Sequence, residues 1–142
     1  MGGLLRIVWQ GARNHIYERI RELGYAHLNP AHLNLFRTEG LDGRRPGELT
    51  AELYLSKQSV NDLLRDLEDM GYIRREVDPT DRRGRIIRLT RAGRVLEDHV
   101  YEAASDVERK LAKAFGQTRV RELRQMLMEA ATVLDGLADT TA

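Results

Sequence analysis

Between residues 49 and 94 the spacing of apolar residues changes from helical to alternating and back again. Few folds accommodate that switch in so short a stretch. Val60, Leu63, Leu64 and Leu67 stand at i, i+3, i+4 and i+7, which is one stripe of an amphipathic helix over residues 56–70. Ser56 has the chemistry of its N-cap and Gly71 that of its stop. Upstream, Pro46 opens a short helix to about Leu53, and Tyr54-Leu55 makes the turn between the two. Ile73 with Val77, and Ile87 with Leu89, alternate at period two and predict strands over residues 72–77 and 85–89. Between them, Asp78-Pro79-Thr80-Asp81-Arg82-Arg83-Gly84-Arg85 reads as a loop punctuated by Pro79 and Gly84.

The flanks are helical. Val8, Ala12, Ile16, Ile20 and Leu23 form one face of a helix over residues 4–24, with Gly24 as its stop. Asn29-Pro30 has the chemistry of a new helix start, with Leu33, Phe36 and Leu41 as its buried side. Asp42-Gly43-Arg44-Arg45 reads as a loop. Thr90 caps a long helix carrying Val95, Leu96, Val100, Ala103, Val107, Leu111 and Phe115, which Gly116 breaks. The last helix spaces Val120, Leu123, Leu127, Ala130, Leu134 and Leu137 as a heptad-like seam, and Thr140-Thr141-Ala142 reads as a frayed tail. This order predicts an α+β fold, mostly α: a winged helix-turn-helix over residues 28–92, within a single domain of 1–142, with dimerisation helices at 4–24 and 93–138.

The net charge of +1 hides an uneven distribution. Residues 72–94 hold eight arginines against Glu76, Asp78 and Asp81, a local +5, whereas residues 95–142 hold six basic against nine acidic residues, a local −3. Basic charge focused on one hairpin is the footprint of a nucleic-acid contact. Cysteine is absent, which excludes disulfide scaffolds, Cys-ligated zinc and thiol redox sensing. The apolar run at the N-terminus is broken by Arg6 and lacks the length of a signal peptide or a membrane span, so a cytoplasmic, membrane-free protein is expected.

On the 56–70 helix, the face opposite the apolar stripe carries Gln58, Asn61, Asp62 and Arg65, with Lys57 and Ser59 near its start. Gln, Asn and Arg match base edges in the major groove. Asp62, Asp66, Glu68 and Asp69 accumulate toward the far end and would be repelled by phosphates. The N-terminal half is therefore the part expected to enter the groove, with Gln58, Ser59, Asn61 and Arg65 reading bases and Ser56 and Lys57 touching phosphate. Arg82, Arg83 and Arg85 crowd around a turn that cannot be buried, and an arginine there can enter the narrow, negative minor groove. Asp78 and Asp81 are expected to brace those arginines through bidentate pairs and to fix the shape of the loop. The plainer alternatives are an ordinary amphipathic surface helix and a solvated loop with incidental ion pairs.

Leu49-Thr50-Ala51-Glu52-Leu53, Leu55-Ser56-Lys57-Gln58-Ser59-Val60, Leu67-Glu68-Asp69-Met70-Gly71-Tyr72-Ile73, the wing Asp78-Pro79-Thr80-Asp81-Arg82-Arg83-Gly84 and Leu89-Thr90-Arg91-Ala92-Gly93-Arg94 occur in this order. Together they resemble the MarR (multiple antibiotic resistance regulator) family of bacterial transcription regulators. The resemblance implies a homodimer on a pseudo-palindromic operator in double-stranded DNA, usually as a repressor. It matches Arg83 to the wing-tip arginine that probes the minor groove, and residues 56–65 to the recognition helix. Tyr54 departs from the small or glycine residue that many helix-turn-helix proteins place in the turn.

The terminal seams support a dimer independently, since residues 5–23, 95–115 and 118–137 offer apolar faces to a twin. The resemblance also implies a small-molecule effector, for which Trp9, His15, His27 and His32 are the candidate residues, with Tyr17 and Phe36 in the same neighbourhood. Against this, His27 and His32 stand at no recognised metal spacing, and core or surface histidines are the plainer reading; His99 reads as structural. No cofactor or metal site is expected. No glycine-rich phosphate loop or Ser-His-acid arrangement appears, so an enzyme is not expected. The rival from another class is a winged helix used as a protein-interaction module without sequence-specific DNA binding.

Overall fold

The helical periods become α1 (Gly2–Glu22), α2 (Pro30–Leu33), α3 (Pro46–Leu53), α4 (Lys57–Asp69), α5 (Arg91–Phe115) and α6 (Gln117–Thr141). The alternating stretch becomes an antiparallel hairpin of β1 (Ile73–Asp78) and β2 (Asp81–Leu89). This computed structural model describes residues 1–36 and 40–141, with side chains through residue 135. Leu137 of the last seam and the Thr140–Ala142 tail therefore lie outside the residues whose side chains are described. Among the described residues, no helix is long and apolar enough to cross a membrane. The chain forms two compact units, Met1–Ala104 and Ser105–Ala142.

The first unit holds the core. Ile20, Leu28, Leu35, Leu41, Leu49, Leu64, Leu67, Ile73, Ile87 and Leu96 are all buried there. The stripe of α4 behaves as its period requires: Val60, Leu64 and Leu67 have no measurable exposure and Leu63 packs against them. The Asn29-Pro30 start is real but brief. Asn29 Oδ1 accepts from the amides of Ala31 and His32, Pro30 is the first helical residue, and the helix ends at Leu33.

Thr90 ties the hairpin to α5. Its hydroxyl accepts from the Gly93 amide at 3.1 Å and donates to the Gly71 carbonyl at 2.6 Å. A Cβ on Gly93 would lie 1.9 Å from the Tyr72 carbonyl oxygen. Glycine is therefore what allows α5 to start flush against the chain entering β1.

The hairpin differs from the sequence expectation at its tip. Strand β2 begins at Asp81, so only Pro79-Thr80 separate the strands, where an eight-residue loop from Asp78 to Arg85 was expected. Asp78 pairs with Asp81 and Val77 with Arg85. Arg82, Arg83 and Gly84 fall inside the resulting register shift, a bulge that re-aims side chains locally. Residues 42–44, expected as a loop, line the other edge of β2. Gly43 donates to the Ile87 carbonyl at 2.6 Å, the Ile87 amide donates to the Arg44 carbonyl at 2.9 Å, and Leu89 donates to Asp42 Oδ1 at 2.8 Å.

The second unit is the end of α5 with α6, turned at Gly116. Val107, Leu111, Val120 and Leu123 are half-buried in it, whereas Phe115, Met126, Leu127, Met128, Val133 and Leu134 are exposed.

Candidate nucleic-acid interface

Helices α3 and α4 meet at Tyr54, whose φ of 53° and ψ of 36° are left-handed. It is the one non-glycine residue with positive φ among the described residues. The turn keeps its geometry despite the bulky side chain because that side chain is 83% exposed and meets no crowding. Ser56 then caps α4. Its Oγ accepts from the Ser59 amide at 3.1 Å and donates to the Ser59 hydroxyl at 2.8 Å, so both serines are engaged with each other.

The polar residues of α4 divide. Gln58, Asp62, Arg65 and Asp69 are all exposed and recur at steps of four, three and four, which is the face opposite the buried stripe. Lys57 and Ser59 are exposed beside it. Arg65 reaches back to Asp62 at 3.3 Å, an exposed pair that competes weakly with any other partner. Asn61 stands apart. It is half-buried, its Nδ2 donates to the Lys57 carbonyl at 3.0 Å and its Oδ1 accepts from Arg75 at 3.3 Å. Its amide ties α4 to β1 and is turned away from the open face.

At the wing, Arg82, Arg83 and Arg85 are exposed. Among the described residues none takes the guanidinium of Arg82 or Arg83, and Arg85 makes only a 3.5 Å contact to the Gly84 carbonyl. The expected bracing of these arginines by Asp78 and Asp81 is not what the structure holds. Asp81 Oδ1 accepts from the backbone amide of Arg83 at 3.0 Å and shapes the bulge, not the guanidinium. Asp78 is buried at 3% exposure and points inward. It accepts from the Thr80 amide at 2.9 Å, the Thr80 hydroxyl at 2.7 Å and Arg45 Nε at 2.6 Å. These donors, Thr80 foremost and then Arg45, outweigh burial and hold its carboxyl at about 2, below the ordinary 3.8. Arg82 and Arg83 are thus left without a side-chain partner among the described residues, the acids beside them being spent on the turn.

Arg44 and Arg45 were missed as site-shaping residues. The Arg44 side chain is buried and donates to Glu48 at 2.7 Å, to Glu52 and to the Gly40 carbonyl at 3.3 Å. Burial works against its charge, but Glu48 and Glu52 outweigh that and raise its pKa. The spacing from Arg44 to Glu48 was the available signal, an i,i+4 pair at a helix entrance. Arg45 had no local signal, since its partner lies far along the chain.

The same unit contains a largely apolar cleft of about 390 Å3, lined among others by Trp9, Arg13, Ile16, Tyr17, Leu33, Phe36 and Val100. Arg13 stacks on Trp9 at 5.1 Å. Of the expected effector residues Trp9 lines this cleft, as do the neighbours Tyr17 and Phe36; His15, His27 and His32 do not. His32 is buried and structural: its Nδ1 accepts from the Asn29 amide at 3.1 Å and its Nε2 bonds Asp66 Oδ2 at 2.9 Å, joining α2 to α4. His27 bonds and stacks on Tyr72, with Nε2 2.8 Å from the hydroxyl. His99 sits against Tyr25 at 5.7 Å. Periodicity could not separate these roles, because each histidine's partner is on another element.

Comparison with known proteins agrees with this geometry. The sequence profile of the MarR family matches residues 30–84. A curated relative, the HTH-type transcriptional regulator PetP of Rhodobacter capsulatus, is 38% identical over 88 residues, which are 59% of this chain and 53% of PetP. The chain thus matches only about half the length of that relative. A solved MarR structure is 29% identical, with a TM-score of 0.75 over 96% of this chain and 93% of that one. A mutant MarR from E. coli complexed with operator DNA, 22% identical, shares the fold at a TM-score of 0.71 over 91% of each chain.

Proposed function

We propose that the chain is a member of the MarR family, whose profile matches residues 30–84, and that it is a DNA-binding regulator, not an enzyme, acting as a homodimer on a pseudo-palindromic operator. The observation that carries the reading is the pair of guanidinium groups, Arg82 and Arg83, that no described residue takes, on a wing whose acids Asp78 and Asp81 are engaged in shaping the turn. They stand on the same unit as the exposed α4 face of Gln58 and Arg65. In this mechanism Gln58, Ser59 and Arg65 read the major groove, and Lys57 with the capped start of α4 meets phosphate. Arg83 enters the minor groove, with Arg82 and Arg85 beside it. Asn61 acts indirectly, by holding α4 on β1. The N- and C-terminal helices bring two such heads together at half-sites about 10 bp apart. The relative solved with operator DNA supports this use of the fold.

We propose repression as the effect on transcription, which is the usual role in the family the sequence resembles. The cleft beside Trp9 and Arg13 supports release by a small, largely apolar effector, since it is concave, apolar and bordered by a cation.

Salt tests the reading. Duplex binding should weaken steeply as salt rises, with a logarithmic slope near −0.9 per phosphate contacted. A protein that ignores random duplex even at low salt would instead be an interaction module, and the DNA-binding proposal would fail.

A further inference from the structure

A two-groove grip works only if wing and recognition helix arrive together. The hairpin is fixed near its root by Gly43, Arg44 and Asp42, which bond Ile87 and Leu89 of β2. Those ties stop short of the tip. Beyond Val77 and Arg85 the register shifts, and the tip consists of Pro79-Thr80 and the bulge at Arg82, Arg83 and Gly84. A side chain from the helix-turn-helix reaches this distal part. Arg45 is the N-cap residue of α3, and its guanidinium donates twice: Nε to Asp78 Oδ2 at 2.6 Å and Nη2 to Thr80 Oγ1 at 2.8 Å. The Thr80 hydroxyl passes its own proton on to Asp78 Oδ1 at 2.7 Å. Arg45, Thr80 and Asp78 thus close a ring of hydrogen bonds around a carboxylate that is itself out of water.

We propose that Arg45 is a positioning residue for DNA binding: through Asp78 and Thr80 it locks the wing tip to the front of α3, so that Arg83 is presented to one groove while α4 occupies the next. The inference rests on the DNA-binding reading above. A planar fork that bonds two acceptors at once sets an angle as well as a distance, which a lysine cannot do. The lock removes a motion that binding would otherwise have to freeze.

The probe is a duplex selected by the wild-type protein from random-sequence DNA. Arg45→Ala and Asp78→Asn should each weaken binding to it by about tenfold, measured at a temperature where each variant is fully folded by circular dichroism. The double variant should bind no worse than either single one, because the two residues act through one ring. Hydroxyl-radical protection of the minor groove should fade in Arg45→Ala while methylation protection of major-groove guanines persists, and Arg45→Lys should fall between. Should Asp78→Asn fail to fold, Thr80→Val opens the same ring from its exposed side. Additive losses with a salt slope lower by about one would make Arg45 a plain phosphate contact and overturn the proposal. Wild-type affinity and an intact minor-groove footprint in Arg45→Ala would overturn it as well. A wild-type protein that selects no duplex would instead overturn the DNA-binding reading itself, and the proposal with it.

Discussion

The core of the unit Met1–Ala104 and the unit Ser105–Ala142 treat their leucines differently, while Leu4, Leu5 and Leu23, on and just after α1, are exposed as those of the second unit are. In the first, Leu41, Leu49, Leu64, Leu67 and Leu96 have no measurable exposure. In the second, Leu127 is 47% and Leu134 is 62% exposed. Both units draw on the same helical periodicity, so pattern alone does not bury a side chain; a second surface has to be present. The first unit supplies it from its helices and the hairpin. The second is a helix pair, and segments below about 40 residues rarely complete a core alone. Exposed leucines at heptad-like spacing are what a subunit interface looks like before its partner arrives. The core of the first unit is complete by itself, and the proposed homodimer would supply the surface that the second lacks.

The contrast can be broken from either side. The largest effect is expected inside the first unit: Leu64→Ala should cost about 2–5 kcal/mol of folding stability, read by chemical denaturation, and DNA binding should disappear with the fold. Next comes the second unit. Leu127→Glu combined with Leu134→Glu should halve the mass by analytical ultracentrifugation while leaving helical circular dichroism in place. Operator affinity should then fall by roughly a hundredfold, as two linked half-sites become one. A dimer that survives this double change would mean that the exposed seam is not the interface.

Smaller effects sharpen the division of labour within the first unit. Arg83→Ala should weaken operator binding by about tenfold or more with an unchanged melting temperature, because its guanidinium has no partner among the described residues to lose; an equal loss of stability would place it in the structure's own support. Smallest is a pH effect at the wing root. Asp78 titrates near 2 in the folded chain against 3.8 ordinarily. Its folded value is lowered, so its contribution is complete above about pH 4 and is lost as pH falls toward 2. The Thr80 amide resonance should follow that titration, and Arg45→Ala should move its midpoint upward. A midpoint that Arg45→Ala leaves in place would assign the shift to Thr80 alone.

Much of this was legible in the chain because the relevant physics is local. Ser56 as a cap, Pro46 as an opening residue and the stripe from Val60 to Leu67 each depend on neighbours within one or two turns. What stayed hidden depends on residues far apart in sequence. Asp78 was expected to hold the arginines adjacent to it, yet its guanidinium partner is Arg45, on the far side of α3 and α4. Asn61 was expected outward with Gln58, and only the position of Arg75 on β1 turns it inward. His32 and His27 lie near Trp9 in the chain, but cross-element bonds to Asp66 and Tyr72 draw them away from the cleft. Tyr54 shows the limit of propensity: its left-handed backbone is a place for glycine by steric preference, and an exposed tyrosine occupies it.

Gly93 bears on any attempt to vary this protein. Side chains usually mark the positions where a fold is intolerant, and a glycine on a helix would be marked as dispensable. Here the Tyr72 carbonyl oxygen occupies the space that any Cβ would need. In a saturation library position 93 should therefore behave as the deepest core positions do, rejecting alanine as firmly as leucine. The tolerance map of the chain would then contain one site where the essential group is an absent methyl.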